Sequence, residues 1–242
     1  MIIDTSGSKD VSEKKEDGIE IISNGTRHLG AAIGTDDFKA MYVMKKVTGW
    51  IDMLKKLSDI AKTQPHAAFA AFVHCLQNQW NFVARAMPET SDLFQPLEDD
   101  IRTIFLTSLL LKSVSDNERE VLSLPARFGG LGIFNPTTAC TAAHENSKIV
   151  TRPIVDMIME QSEDFDPMDL QDAINELRKE VDKKTEQSHE SQLEKLNEKL
   201  PKDLLASINI ASVKGASSWV TQSRCLTRGP SFIKESLLMQ FI

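Results

Sequence analysis

The sequence predicts a mainly α-helical protein: an antiparallel helical bundle with a short N-terminal β-hairpin and a projecting acidic helix or helical pair. Three observations predict this fold class. Apolar residues recur at spacings of three and four along most of residues 36–123, which is the period of an amphipathic helix. Strand-like patterns are confined to the first 34 residues. Asp and Glu concentrate between residues 160 and 203.

The N-terminal part of the chain predicts a small hairpin. Residues 1–17 are almost entirely polar and are expected to form a disordered lead-in. Asn24-Gly25 is a strong turn signal, and the chain is able to return as a second strand through residues 27–29. We therefore expect a hairpin within residues 18–34.

Three amphipathic helices are predicted next, with short connections that make them antiparallel neighbours. The first begins at Asp36, with Thr35 or Asp36 as its cap, and the second runs from Pro65 to a point before Pro88. The third follows Ser91. The residues expected to face inward are Val43, Val47, Trp50, Leu54, Leu57 and Ala61 in the first, Phe69, Phe72, Leu76, Trp80 and Val83 in the second, and Leu97, Ile101, Ile104, Phe105 and Leu109 in the third.

The second half of the chain contains one segment that is not helical. A short acidic helix is predicted from Asp116, and residues 124–136 then contain three glycines and two prolines, which exclude a helix. Pro136 opens a further helix with a face of small residues and an expected break at Pro153.

The acidic segment, residues 160–203, has heptad-like apolar spacing, which predicts one long helix or a helical pair. Its Glu and Lys residues are expected to form a solvated helical face, with partner binding as the alternative. The expected divisions of the chain are a lead-in (1–17), a hairpin (18–34), a helical domain (35–159), an acidic helical segment (160–203) and a C-terminal segment (204–242).

Composition favours a globular protein, with 41% hydrophobic and 26% charged residues. No apolar run approaches the roughly 20 residues of a membrane span, and the first residues are no secretory signal, so we expect a soluble intracellular protein. The net charge of −7 resides in residues 160–203, which hold fourteen acidic and seven basic residues. The rest of the chain is balanced, which argues mildly against free-standing nucleic-acid binding.

No residue pattern predicts a catalytic or metal site, and we expect no cofactor and no small-molecule substrate. Asp36-Asp37 and Glu98-Asp99-Asp100 lie in predicted first turns of helices, where acids complement the helix dipole. His74 and Cys75 are adjacent on a helix and therefore diverge. Three well-separated cysteines, Cys75, Cys140 and Cys225, predict reduced and mostly buried thiols.

Residues 124–136 carry the most distinctive motif, and they resemble a segment that follows the thumb in reverse transcriptases of non-LTR retrotransposons. The motif residues are Leu124, Pro125, Ala126, Arg127, Gly129, Gly130, Leu131, Gly132, Ile133, Asn135 and Pro136. Two weaker matches accompany it. The run His28-Leu29-Gly30-Ala31-Ala32-Ile33-Gly34 before a helix with Trp50 resembles the last palm element and first thumb helix, and residues 215–219 resemble a further piece.

The resemblance implies a polymerase thumb, whose helices hold the template and primer mainly through phosphate contacts. In that family the catalytic aspartates lie upstream of the hairpin, so none is carried over, and we expect no polymerase activity from this chain unless other chains supply the palm. A fragment or a decaying genomic copy is the expected source. The candidate contacts to an RNA:DNA hybrid are Lys45, Lys46, Lys55, Lys56, Arg119 and Arg127, which should gather on one face.

Two interpretations stay open beside this one. Arg127 has an alternative role, in which it ties its loop to a helix end or to an acid such as Glu120. The three tryptophans are expected in the core rather than stacked on bases. A protein-interaction module, acting on a partner or by self-association through residues 166–200, is the alternative function; membrane binding is not expected.

Overall fold

The computed structural model describes residues 2–3, 21–22, 24–161 and 166–213, and these residues are mainly helical, which confirms the predicted fold class. Four short strands lie at the N-terminus. β1 (Ile2–Ile3) pairs in parallel with β2 (Ile21–Ile22), and β3 (Gly25–His28) pairs in antiparallel with β4 (Ala31–Gly34).

The helices follow in chain order as α1 (Asp36–Ala61), α2 (Pro65–Ala71), α3 (Gln77–Ala86), α4 (Gln95–Asp100), α5 (Thr107–Leu110), α6 (Asp116–Ser123), α7 (Pro136–Glu160), α8 (Pro167–Lys199) and α9 (Lys202–Ser212). Two π-helical stretches make longer continuous helices from the shorter ones. Phe72–Leu76 joins α2 to α3, and Ile101–Leu106 joins α4 to α5.

The hairpin is present, but its turn lies five residues later than predicted. Leu29 and Gly30, both with positive φ, form the turn, whereas Gly25 lies in β3 opposite Gly34. A Cβ atom on Gly25 would approach the Phe38 ring to 2.6 Å, and one on Gly34 would approach the Gly25 Cα to 2.3 Å. The two glycines therefore allow the strands and α1 to pack closely, and Asn24-Gly25 is not a turn.

α1 is the central helix and forms as predicted. The Thr35 hydroxyl accepts a hydrogen bond from the Phe38 N–H at 3.3 Å, which caps the helix. The predicted stripe is buried except for Leu57, which is half-buried beside the buried Ser58. This face packs against the β4 strand and against the helices on both sides of the two π-helical stretches.

Aromatic rings join the elements of the core. The Trp50 ring stacks on Phe94 and meets Trp80 edge-on, with 5.9 Å between ring centroids in each pair. The Phe72 and Phe105 rings, one from each π-helical stretch, stack at 4.6 Å. Trp50 and Trp80 are 4% and 2% exposed, which confirms their predicted core position; Trp219 lies outside the described residues.

α7 and α8 form an antiparallel helical pair, and the acidic segment is one helix of 33 residues. The outer ends of both helices carry mostly exposed side chains. The predicted break at Pro153 is wrong, because α7 continues through it. Proline removes a single N–H donor there, in a largely exposed part of the helix where water is available to the freed carbonyl group.

Candidate functional site

Two of the four candidate lysines of α1, Lys45 and Lys56, share one side of the helix, which we call the lysine surface. Lys45 and Lys56 are eleven residues apart and so point in directions that differ by only roughly 20°. Both lie opposite the buried stripe. Lys46 and Lys55 are nine residues apart and point in opposite directions, so the prediction that they gather on the same face is wrong. Lys46 is half-buried, with its Nζ 5.8 Å from the centroid of the Tyr42 ring.

The charge of this surface is mixed. The exposed Asp52 and Asp59 lie on the same side of α1, and the Lys55 Nζ is 3.9 Å from the Asp100 carboxylate. Lys45 and Lys56 form no ion pair within the described part of the chain. On this side of α1 the two lysines without an ion-pair partner in that part of the chain, Lys45 and Lys56, therefore lie beside two carboxylates.

Arg119 does not belong to this surface. It is 5% exposed, and its guanidinium donates two hydrogen bonds of 2.7 Å to the Glu98 carboxylate. It also donates to the carbonyl oxygens of Ile133 and Phe134, at 2.7 and 3.2 Å. The assignment of Arg119 as a nucleic-acid contact is wrong, because a buried guanidinium with four acceptors cannot reach a phosphate.

Arg127 lies apart from the lysine surface as well. Its side chain is 56% exposed, its Nε is 3.2 Å from the Glu186 carboxylate on α8, and its guanidinium lies over the Phe128 ring at 5.1 Å. The alternative in which Arg127 ties its loop to an acid fits this geometry. The acid is Glu186 rather than Glu120, because α8 covers the loop.

The motif residues 124–134 form what we call the glycine-rich joint, where α3, α6, α8 and α9 meet. Leu124, Leu131 and Ile133 are buried in the core. A Cβ atom on Gly130 would lie 2.0 Å from the Leu124 carbonyl oxygen, and one on Gly129 would lie 2.7 Å from the Ile208 carbonyl oxygen of α9. The two glycines are required by these close backbone approaches.

Two side chains from distant helices bind the backbone of the joint. The Gln77 amide donates to the Gly132 carbonyl oxygen at 3.0 Å and accepts from the Phe134 N–H at 3.0 Å. Arg119 satisfies the next two carbonyl groups, as described above. The distinctive part of the motif therefore has a structural role: it closes the core.

Some of the other motif residues have structural partners, and the rest are exposed. Tyr42 on α1 donates a hydrogen bond to the Gly30 carbonyl oxygen, and the Phe82 ring lies against Gly30, where a Cβ atom would be 3.2 Å away. Leu29 at the turn is 86% exposed, and Ile33 is 44% exposed. His28 is exposed at the end of β3, and Gly34 packs on Gly25.

The acids expected to lie in solvated first turns separate into two cases. Asp36 begins α1 and pairs with Lys39 at 2.8 Å, and this hydrogen bond lowers the pKa of Asp36. Glu98 is 6% exposed and holds Arg119, so the prediction that it is solvated is wrong. The run of three acids from Glu98 to Asp100 obscures the buried position of Glu98 in the sequence. It lies three and seven residues before Ile101 and Phe105 and so belongs to the buried stripe.

The nucleophile candidates do not form a site. Cys75 is exposed, in contrast to the prediction, and His74 is exposed beside it, because Phe72 and Leu76 form the buried face there. Cys140 is buried as predicted; burial raises the pKa of its thiol, and its Sγ is 3.2 Å from the Thr90 hydroxyl. Cys225 lies outside the described residues.

Among the described residues, no three His, Cys, Asp or Glu side chains come together as metal ligands. No helix in that part of the chain is both long and apolar enough to cross a bilayer.

Comparisons of the chain with models of protein families, with curated proteins and with solved structures find no significant match. Fold and surface together define the class as a mainly α-helical bundle with a short N-terminal hairpin. The resemblance to reverse transcriptases stays a prediction.

Proposed function

We propose that the protein is a noncatalytic helical domain, derived from a non-LTR retrotransposon reverse transcriptase, that binds the backbone of an RNA:DNA duplex weakly. The observation that supports this most is the lysine surface of α1, where Lys45 and Lys56 project from one side of a rigid, capped helix with no ion-pair partner among the described residues. Ammonium groups held at one surface bind phosphates without reading sequence.

The lysine surface sets the strength of binding. Lys45 and Lys56 contact at most two phosphates, and each contributes a slope of about −0.9 to the dependence of log K on log salt. A slope of about −1.8 predicts that affinity falls about tenfold between about 50 and 200 mM salt. The acidic residues on the same side of α1 oppose binding, so we expect an affinity typical of nonspecific complexes.

The test compares two doubly substituted proteins that carry the same charge change. Lys45→Glu with Lys56→Glu reverses the two lysines of the lysine surface, whereas Lys179→Glu with Lys183→Glu reverses two exposed lysines on the acidic helix α8. Fluorescence anisotropy with a labelled RNA:DNA hybrid should show loss of binding for the first protein only. Equal binding by both proteins, or none by the unmodified chain, would overturn the proposal.

A second function is favoured by the outer ends of α7 and α8. Val155, Ile158, Met159 and Met168 are 51 to 77% exposed there, which places four large apolar side chains at the tip of the helical pair. Such a tip suits a protein partner or self-association. Ile158→Asp with Met159→Asp should abolish dimers in sedimentation or retention in a pull-down. Deletion of residues 166–200 is unsuitable as a test, because Leu196 belongs to the core.

A further inference from the structure

A groove runs between α3, α7 and α8, and neither the motif nor the lysine surface accounts for it. Its main cavity is about 610 Å³, and an adjoining cavity of about 480 Å³ shares part of the same lining. Phe134, Ala139, Ala142, Asn146, Thr185 and His189 line both cavities. We call the main cavity the α7–α8 groove. Its volume lies within the range of small-molecule sites, roughly 300–1,000 Å³.

The groove is long, narrow and mostly apolar. Ala139, Ala142 and Ala143 of α7 line one wall, where their short side chains leave room between the two helices. On α8 the lining extends from Arg178 to His189, eleven residues or about 16 Å along the helix. The space therefore fits an extended chain rather than a compact ring system.

Positive charge lies at one end. Arg85 of α3 and Arg178 of α8 both line the main cavity, both are exposed, and neither forms an ion pair within the described residues. The acid in the same lining is Asp182, one turn from Arg178 and also exposed. Two unpaired guanidinium groups against one carboxylate leave a net positive end.

We propose that the α7–α8 groove binds an elongated amphipathic anion of the fatty carboxylate class, with its head group at Arg85 and Arg178. A guanidinium group forms short, paired hydrogen bonds with a carboxylate, which explains why arginine suits the head-group position. The alkyl chain lies along the alanines of α7, where it removes apolar surface from water. His189 is the last residue of α8 that lines the groove, and it also lines the adjoining cavity.

Dodecanoate is the probe, and isothermal titration to the full chain below the micellar range is the measurement. We expect saturable binding of dodecanoate and much weaker binding of dodecanol and dodecyltrimethylammonium, which share its chain but not its charge. Equal binding of all three would show a nonspecific apolar surface and would overturn the proposal, as would the absence of saturable binding.

Three variants locate the site. Ala142→Trp fills the groove from an exposed position and should abolish binding without lowering the unfolding midpoint. Arg178→Glu should weaken binding at least about tenfold, the effect of a lost charge-assisted hydrogen bond, whereas Arg152→Glu, outside the groove, should not. Asp182→Asn should strengthen binding. Unchanged affinity in the Ala142→Trp protein would place the ligand elsewhere and refute the assignment.

Discussion

Replacing Arg119 by Met should be among the most damaging single changes in this protein. The substitution leaves the Glu98 carboxylate, which is 8% exposed, without its ion-pair partner. It also removes the donor to the Ile133 and Phe134 carbonyl groups of the glycine-rich joint. The side chain of methionine fills much of the same volume, so the loss is mainly electrostatic.

The expected loss in the free energy of unfolding follows from the burial of the Arg119–Glu98 ion pair. Breaking a buried ion pair by removing one partner costs about 3–5 kcal/mol, because the remaining charge stays buried. Arg119→Met and Glu98→Leu should each lower the free energy of unfolding by that amount. The double variant carries no buried charge, and only the two carbonyl groups lack a donor, so its cost should be about 1–3 kcal/mol.

Urea unfolding followed by circular dichroism measures all four proteins of this double-mutant cycle. The two single losses should together exceed the loss in the double variant by about 3 kcal/mol or more. Additive losses would refute the argument that the pair is coupled, and a loss below about 1 kcal/mol for Arg119→Met would refute its burial.

Two further predictions concern the glycines and His189. Gly130→Ala should prevent stable folding, because the new Cβ atom would lie 2.0 Å from the Leu124 carbonyl oxygen. Gly49→Ala, whose Cβ atom would have nothing within 4 Å, should instead raise the free energy of unfolding by about 0.5–1 kcal/mol. Thermal melts of the two proteins test both expectations. Burial lowers the pKa of His189 below 6.5, Arg127 lowers it further, and Glu186 partly offsets both. Neutral His189 therefore contributes stability above about pH 6.5, and this stability is lost as pH falls through the folded pKa of His189. His189→Leu should remove this pH-dependent component. Identical pH profiles of stability for the unmodified protein and the His189→Leu protein would contradict the prediction.

Local patterns predicted the helices well. The start of α1 depends on a capping threonine and on apolar spacing within one segment, and both are visible in the sequence. α6 is similar, since the Ser115 and Glu118 side chains form a reciprocal cap. In Glu118, burial raises the pKa of the carboxyl group, but hydrogen bonds from Lys112 and Ser115 outweigh burial, and the pKa is lowered.

The sequence predictions are wrong where residues far apart along the chain determine the structure. At the hairpin, Phe38 packs on Gly25 of β3 and Phe82 packs on Gly30 of the turn, and no local turn signal in the sequence indicates these rings. Arg119 resembles a surface cation in the sequence because its partner Glu98 is 21 residues away along the chain. Both residues interrupt apolar stripes with opposite charges, which is the signal that predicts such a pair.

The candidate site was predicted only in part, for the same reason. Lys45 and Lys56 share a surface by helical periodicity alone, whereas the same periodicity separates Lys46 from Lys55. The position of Arg127 depends on α8, which returns to the loop some 60 residues later. The α7–α8 groove has no sequence signal, because it arises from the spacing between two helices rather than from any one segment.

The glycine-rich joint has the composition of a linker, yet a break in the backbone should do more damage here than in an exposed part of the chain. Its backbone is held by Gln77, some 55 residues earlier, and its glycines pack against Ile208, nearly 80 residues later. Elements far apart in the sequence must therefore assemble before the joint is satisfied, and the slow closure of these long loops should set the rate of folding. A protease cut or circular permutation within residues 124–134 should dismantle both halves, whereas the same cut in the exposed outer end of α7 should leave the body intact.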